Sequence, residues 1–590
     1  MEQGSSSSQF QGEKSSHELA AVLLTESIQY SLVVLKQPIY ILYLDAESAF
    51  DVVLHEILVT HLYNTGTAGH NLLFINNRLS NRKTVVDWEG NLLGPIHDQR
   101  GLEQGGVKSS DLYKIFAKEQ ITTAQESGLG VDLGPVVVSA IGQADDTALI
   151  SNSIHKLQHL LYLSEVFCKK HHVTLSAKKT KLQVFATKDM EKIVQYSQHI
   201  NPLKLNGKTI EFKESIEHVG MLRSSFGNTP TILDRLTAHR NALRAVLHTG
   251  MARGHRGNPA ASLHVDKVYG VPVLLSGLGP LVLSRSDFRV INQHHKEVVS
   301  SLQRLLPNTP RSVIYFLGGS LPAEGLLHIR QLSIFGMISR LPSSHISQVV
   351  ARHLLNSVMI KSSIYQLVGV CQLYGLPSPH KLLQDPLPKP KFKTLVRAKV
   401  TDYWEQLLRS ESSDPKYSSL TYFKPNFMSL SSPHPAWTTA GSSPSRVAMA
   451  TIQVQMLSGR YRSESLCRYW STNRGGFCLI SPACAVVKED IPHILVHCPG
   501  LALVREKLVR FTFDYCKSFP PITDIITTLC IPKNPNFIQF LLDCSVLPEV
   551  ILATQVFGSD VLYHLFHVTR TWVYTLHRAR LKLLGRWNYV

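Results

Sequence analysis

Two adjacent carboxylates, Asp145 and Asp146, stand between short apolar runs in Ile141-Gly-Gln-Ala-Asp-Asp-Thr-Ala-Leu-Ile150. Pro135 to Ile141 upstream and Ala148 to Ile150 downstream read as strands, so the acids sit at the tip of a hairpin. Neighbouring carboxylates repel and are costly to ionise together unless a cation compensates them, which points to a divalent metal site. A third acid, Asp45, ends Ile39-Tyr-Ile-Leu-Tyr-Leu44, a near-continuous apolar run of the kind expected for a strand buried on both faces. Side by side, these strands would build the carboxylate clamp used for in-line phosphoryl transfer, with metal ions about 3.5–4 Å apart. An Asp-Asp pair by itself is most often a solvated turn, so the wider sequence has to decide.

Four segments follow one another along the chain: Leu44-Asp-Ala-Glu-Ser-Ala-Phe-Asp51, Gln104-Gly-Gly-Val-Lys-Ser-Ser110, Ala144-Asp-Asp146 and Leu175-Ser-Ala-Lys-Lys-Thr180. In this order they resemble the reverse transcriptase of non-LTR (LINE-type) retrotransposons, over roughly residues 17 to 225. The resemblance implies an α+β fold, a right-hand polymerase palm whose antiparallel sheet packs on helices, followed by a helical thumb-like region and a small zinc-knuckle and helical C-terminal region. It implies an RNA-directed DNA polymerase, a nucleotidyltransferase working on an RNA template, a DNA primer and deoxynucleoside triphosphates. The alternative is a catalytically silent nucleic-acid-binding remnant of such an element.

Carried over residue by residue, the resemblance makes Asp45 and Asp145 the principal ligands of Mg²⁺ (or Mn²⁺), with Asp146 beside them at the turn. Phe50 matches the bulky aromatic that packs under the sugar of the incoming nucleotide and excludes a 2′-hydroxyl; without the resemblance it reads as a core residue. Gln104 and Gly105 match a loop-to-helix segment through which backbone approaches nucleotide and template, and glycine permits that approach; without the resemblance, Gly101, Gly105 and Gly106 read as a turn. Lys179 matches the lysine that lies near the leaving pyrophosphate and would protonate it, although a Lys-Lys-Thr-Lys run is commonly a solvated loop. Asp51 is expected to make structural hydrogen bonds at a helix start just before the apolar stripe Val53, Ile57, Leu58.

The chain departs from the pattern in places. Gln143 replaces the usual aromatic before Ala-Asp-Asp, and Ser110 stands where many relatives have proline. Only 44 residues precede Asp45, too few for complete fingers, and Ser16 to Glu26 reads as the last fingers-to-palm helix. The expectation is a chain that begins partway through its polymerase domain and carries no endonuclease.

Downstream, Ile154, Leu157, Leu160, Leu161 and Phe167 recur at helical spacing, Leu182-Gln-Val-Phe185 reads as a strand, and Asn206-Gly207 marks a tight turn. Ile216 to Leu222, around Gly220, lies where reverse transcriptases hold the primer terminus; a plain edge hairpin is the equal alternative. The expected division is a disordered polar tail at 1–16, a palm with partial fingers at 17–225, a thumb-like region at 226–341, a helical segment with Pro-rich linkers at 342–446, a zinc-knuckle region at 447–515 and a basic, aromatic helical region at 516–590. Arg235, His239, Arg240, Arg244, Arg253 and Arg256 would give a thumb its charge against nucleic acid, or form an ordinary solvated helix face. Pro377 to Lys391 and Pro425 to Pro444 read as linkers around a helix that includes Val396 to Leu408.

A second chemical signal is Cys478-x5-Cys484-x8-His493-x4-Cys498. Three thiolates and an imidazole make the closed tetrahedral set that structural Zn²⁺ favours. His497 could replace His493, at the cost of a strained position beside Cys498, and Cys467 is a reserve ligand. The segment resembles the Cys/His knuckle downstream of LINE-type polymerases, where Arg462, Arg468, Trp470 and Arg474 would supply charge and stacking. The C-terminal run Arg570 to Trp587 again interleaves bases with aromatics; its plainer reading is an amphipathic helix with Leu576, Leu583 and Leu584 in the core.

Composition agrees with a nucleic-acid enzyme. Lys and Arg number 61 against 43 Asp and Glu, a net charge of +18 that favours a polyanionic partner through counterion release. Met1 to Lys14 is polar, with no secretory signal, and the most apolar stretch, Val271 to Leu283, is short and broken by Pro272, Gly277, Gly279 and Pro280, so no membrane span is expected. Nine cysteines suggest reduced thiols and an intracellular setting, nuclear and/or cytoplasmic. The sequence carries no sign of oligomeric state.

Overall fold

A computed structural model of the chain describes residues 16–80, 82–103, 105–106, 108–143, 145–191, 194, 202–246, 257–468 and 475–585. Strand β1 (Ile39–Leu44) is buried at every residue, as its unbroken apolar run requires. It is the middle strand of a five-stranded sheet completed by β4 (Ala140–Gln143), β5 (Asp146–Ser151), β6 (Lys181–Phe185) and β7 (Glu211–Phe212), in the order β7-β6-β1-β5-β4. Every pairing is antiparallel except β7 with β6. Strands β2 (Lys83–Trp88) and β3 (Asn91–His97) form a separate, fully exposed hairpin between α3 (Gly69–Ser80) and α4 (Ser109–Glu126). A second hairpin, β8 (Ser215–His218) with β9 (Met221–Ser224), turns through Val219 and Gly220 at φ +52° and +69°.

The sheet's two faces are used differently. Tyr40, Leu42 and Leu44 alternate onto one face and pack with Phe116, Ala117 and Ile121 of α4 and with Leu157, Leu160 and Leu161 of α5 (Ile154–Lys170). This is the helical support that the period of α5 predicts. Tyr43 faces the other way, donating to Gln183 at 3.0 Å and lying 4.7 Å from the His218 ring. On that side Arg223 reaches α1 (His17–Tyr30) and donates to Thr25 at 3.0 Å.

Helix α1 continues through a wider turn to Leu35, and its His17–Leu35 span is long and apolar enough to cross a membrane. This span, and not Val271 to Leu283, is the apolar stretch of membrane-crossing length; Val271 to Leu283 forms only a short helix, Val271–Leu275, followed by largely buried turns. Helix α1 is apolar all round because protein surrounds it. Both its glutamates find partners: Glu26 Oε1 accepts from Ser363 and from the Ile364 N–H, and Glu18 pairs with Arg330.

By compactness the chain falls into two interleaved units, one made of Met1–Arg235, Leu275–Asp287 and Leu327–Lys399, the other of Leu236–Leu274, Phe288–Leu326 and Val400–Val590. The first holds the sheet. The second is helical, organised about α7 (Pro444–Leu457), α8 (Ala502–Cys516) and α9 (Asp560–Leu583), and takes in α6 (Thr229–Val246) from Leu236 onward. Trp572 of α9 is fully buried and donates to Thr512 of α8 at 2.7 Å.

Several expectations are corrected here. The helix after Asp51 starts only at His55, as α2 (His55–Asn64), with Leu54 at its N-cap, so the exposed Asp51 does not cap it. Neither Pro-rich stretch is an open linker. Pro379–Gln384 is helical with Leu382 and Leu383 buried, and Pro435–Thr438 is a helical turn whose buried Trp437 donates to Gln303 at 3.2 Å. Proline starts both turns, where its missing N–H costs nothing. His239 is fully buried in α6, while Arg240 and Arg244 are exposed. In α9, Arg570 and Arg580 are buried beside Leu576, whereas Leu583 is exposed. The polar tail at 1–15 and Arg253, Arg256, Trp470, Arg474 and Trp587 lie outside the described residues.

Candidate active site and metal cluster

The acid hairpin forms as its sequence requires: β4 and β5 pair antiparallel down to Gln143 opposite Asp146, and Asp145 occupies the turn between them. Continued one step past Leu44–Thr147, the β1–β5 register sets Asp45 opposite Asp146. On the other side, Ala46 bridges Leu175, and the chain turns through Ser176 to Thr180 before β6 begins, which brings Lys179 back to Asp45. Asp45 thus stands at the end of the central strand, between an acid and a base. Its N–H donates to the Thr180 hydroxyl at 3.3 Å, and its carbonyl accepts from the Ser176 N–H at 2.9 Å. The Lys179 ammonium lies 3.5 Å from Asp45 Oδ2.

Electrostatically the three acids are under-compensated. Desolvation, and then the neighbouring Asp145 and Asp45, push the Asp146 carboxyl up to about 6. Asp45 Oδ2 is a buried oxygen with no hydrogen bond. A carboxylate cluster with an orphaned oxygen and one offset ammonium is the environment a divalent cation relieves, so these residues fit an oxygen-ligated metal.

Phe50 is half-buried on the core, its ring 5.0 Å from that of Tyr113 in α4. Gly105 is exposed at φ +80°, a conformation side chains rarely adopt, just before α4. Gln104 lies outside the described residues. Lys179 is exposed apart from its contact with Asp45. The role of Thr180 in fixing the Asp45 backbone was missed in the sequence; only its place beside Lys179 could have signalled it.

Residues 4–214 match the family described as reverse transcriptase (RNA-dependent DNA polymerase). This segment is a reverse transcriptase domain. No curated protein matches the chain. Among solved structures, telomerase from Candida albicans in complex with the TWJ fragment of telomeric RNA is similar at 12% identity, over 58% of this chain and 55% of that one. The chain therefore spans about half of that telomerase's length, and the TM-score of 0.26 is too low to bear on fold or function. Within the reverse transcriptase domain, the acids lie where the sheet exposes the ends of β1 and β5, and the rest of those strands is core.

Far along the chain, Cys478, Cys484, His493 and Cys498 converge, all buried, with one donor atom from each within 4.8 Å of the others. The sulfur pairs are 3.3 Å (Cys484–Cys478), 3.9 Å (Cys478–Cys498) and 4.0 Å (Cys484–Cys498). A tetrahedral zinc ion with bonds of about 2.3 Å would set its sulfurs about 3.8 Å apart, so the set fits. His493 Nε2 is buried without a hydrogen-bond partner, a cost of about 1–3 kcal/mol that a metal bond would remove. Burial, then the Cys478 sulfur, pushes the Cys498 thiol up to about 12, and the same causes raise Cys484. Only a cation would make three thiolates stable there.

The backbone shapes this cluster. The Cys478 N–H donates to Val487 and the Val487 N–H to Cys484, each at 2.9 Å, closing a short loop. The Ile480 N–H points at the Cys478 sulfur at 3.5 Å. Of the alternative ligands, His497 is exposed and Cys467 lies in a separate helical turn, Glu464–Cys467. Beneath the loop, Glu489 is fully buried and receives Arg580 of α9 at 2.7 and 3.1 Å and the Glu464 N–H at 2.7 Å.

Proposed function

We propose that the reverse transcriptase domain is the polymerase of a LINE-type retrotransposon, extending a DNA primer on an RNA template from deoxynucleoside triphosphates. What carries the reading is the placement of Asp45 beside the Asp145–Asp146 turn, with Asp45 Oδ2 buried and unbonded. Asp45 and Asp145 would hold Mg²⁺ or Mn²⁺, with Asp146 as neighbour; the metal would lower the pKa of the primer 3′-hydroxyl and neutralise charge on the transferred phosphoryl group. Phe50, against Tyr113, would sit under the incoming sugar and exclude a 2′-hydroxyl. Gln104 and Gly105 would admit the nucleotide and template. Lys179 would hold a proton for the leaving pyrophosphate.

Cys478, Cys484, His493 and Cys498 would hold a structural Zn²⁺ and steady a nucleic-acid-binding region. The net charge of +18 supports a polyanionic partner. Nine free thiols, three of them converging on one cluster, support an intracellular setting, nuclear and/or cytoplasmic.

Primer extension on an RNA template tests the assignment. The full chain is expected to extend the primer with Mg²⁺ or Mn²⁺, and Asp145→Ala and Asp45→Ala are each expected to abolish extension with circular dichroism unchanged. Extension that survives both substitutions would overturn it, and a folded wild-type chain that never extends would make it a silent remnant.

A further inference from the structure

Three helices of the reverse transcriptase domain bring two imidazoles and a carboxylate together at a point no part of the proposed polymerase chemistry uses. His61 comes from the last turn of α2, Glu119 from the middle of α4, and His171 from the C-cap of α5. Their donor atoms lie within 4.8 Å of one another. Glu119 Oε2 is 2.9 Å from His171 Nε2 and 3.6 Å from His61 Nε2. Tetrahedral zinc with nitrogen and oxygen bonds of about 2.0 Å separates its donors by about 3.3 Å, between those two distances.

We propose that His61, Glu119 and His171 bind a divalent transition-metal ion, zinc by their donor set, which fastens α2, α4 and α5 to one another. The surroundings suit such an ion. The His171 side chain is 2% exposed, and its ring lies 4.5 Å from that of Phe167 and 5.6 Å from that of Phe116, which also faces His61 at 6.4 Å. This aromatic wall lowers the local dielectric and strengthens metal–ligand attraction. Glu119 offers Oε2 to the imidazoles while Lys170 holds Oε1 at 2.6 Å. A ligating carboxylate is ordinarily oriented in this way, by a hydrogen bond to its second oxygen. His61 is 17% exposed and Glu119 35%, so an ion can enter from solvent and a water can complete its coordination.

Two imidazoles and one carboxylate make a borderline set suited to zinc rather than to magnesium, which prefers oxygen alone. The ion would act mechanically. Helices α4 and α5 support the face of the sheet beneath β1 and β5, so a bond between them stiffens the base on which Asp45 and Asp145 stand.

The test uses the full-length chain, stripped of transition metals and titrated with Co²⁺ in excess Mg²⁺, which keeps the polymerase carboxylates occupied. Cobalt at the cysteine cluster gives thiolate charge-transfer absorption, whereas cobalt on His61, Glu119 and His171 gives only weak visible bands. The expected result is an equivalent bound without thiolate absorption, lost in both His61→Ala and Glu119→Gln while the thiolate band persists. Cys484→Ser should do the reverse, so failure of the cysteine cluster is read separately. Cobalt stoichiometry and visible bands unchanged from wild type in both His61→Ala and Glu119→Gln would overturn the proposal. So would a wild-type chain whose bound cobalt all shows thiolate absorption.

Discussion

The ammonium of Lys179 lies 3.5 Å from Asp45 Oδ2, Asp45 directly beyond the paired part of β1 and Lys179 in the turn two residues before β6. The contact joins the residue expected to donate a proton to a residue expected to hold metal. General acids contribute on the order of 10²–10⁴-fold to rate. Lys179→Met is therefore expected to lower single-turnover incorporation at least about 100-fold. If only the apparent affinity for Mg²⁺ changed, Lys179 would act through Asp45 and not as an acid.

Phe50 rests on Tyr113 with one side open, so shortening it creates space at the surface of the core rather than a sealed cavity. Phe50→Ala should raise ribonucleotide incorporation relative to deoxyribonucleotide, with little loss of stability. Competition between the two nucleotides on one primer measures it, and an unchanged ratio in a working enzyme would make Phe50 a packing residue.

Chelation should release a zinc ion from the full chain and destabilise the second unit, because metal binding and folding of the cysteine loop are coupled. Cys484→Ser should lower zinc content by about one equivalent, whereas Cys516→Ser, in α8 and outside the cluster, should leave it unchanged. Metal analysis of freshly reduced protein reads both.

A buried histidine cluster makes the second unit sensitive to acid. His239 lies 2.8 Å from Asp266 and 2.9 Å from His294, while His295 contacts Tyr315. Burial, with His239 and Arg240 adding to it at His294, pushes His294 and His295 down to about 4. Both stay neutral when folded but take up protons near pH 6.5 when unfolded. Stability is therefore full above about pH 6.5 and falls as pH drops toward about 4, by up to about 3 kcal/mol per histidine. Urea denaturation across that range should show the slope, and His294→Gln should flatten it.

The sequence made legible the side chains that short, contiguous runs bring together. Asp45, Asp145 and Asp146 were legible because they follow, join or begin apolar strands, and the Cys/His cluster because its four residues fall within one short segment. What required the structure is the side of a helix that protein covers. His239 and Arg570 look like surface charge in the sequence, yet one meets Asp266, 27 residues away, and the other donates to Phe566 O and Thr439 from the core. The apolar character of α1 does not say whether lipid or protein surrounds it. His61, Glu119 and His171 come from three helices, and nothing in their spacing announces a meeting.

The ion pair between Glu489 and Arg580 sets the size of the smallest piece of this chain that can hold zinc. All four ligands lie between residues 478 and 498, but Glu489 beneath them is neutralised by a guanidinium 91 residues further on. A fragment ending before α9 would strand a buried carboxylate without its partner, a loss of about 3–5 kcal/mol. It would contain every metal-binding atom and still fold poorly around the metal. Partial proteolysis that removes α9 should therefore release zinc from a loop the protease never cut.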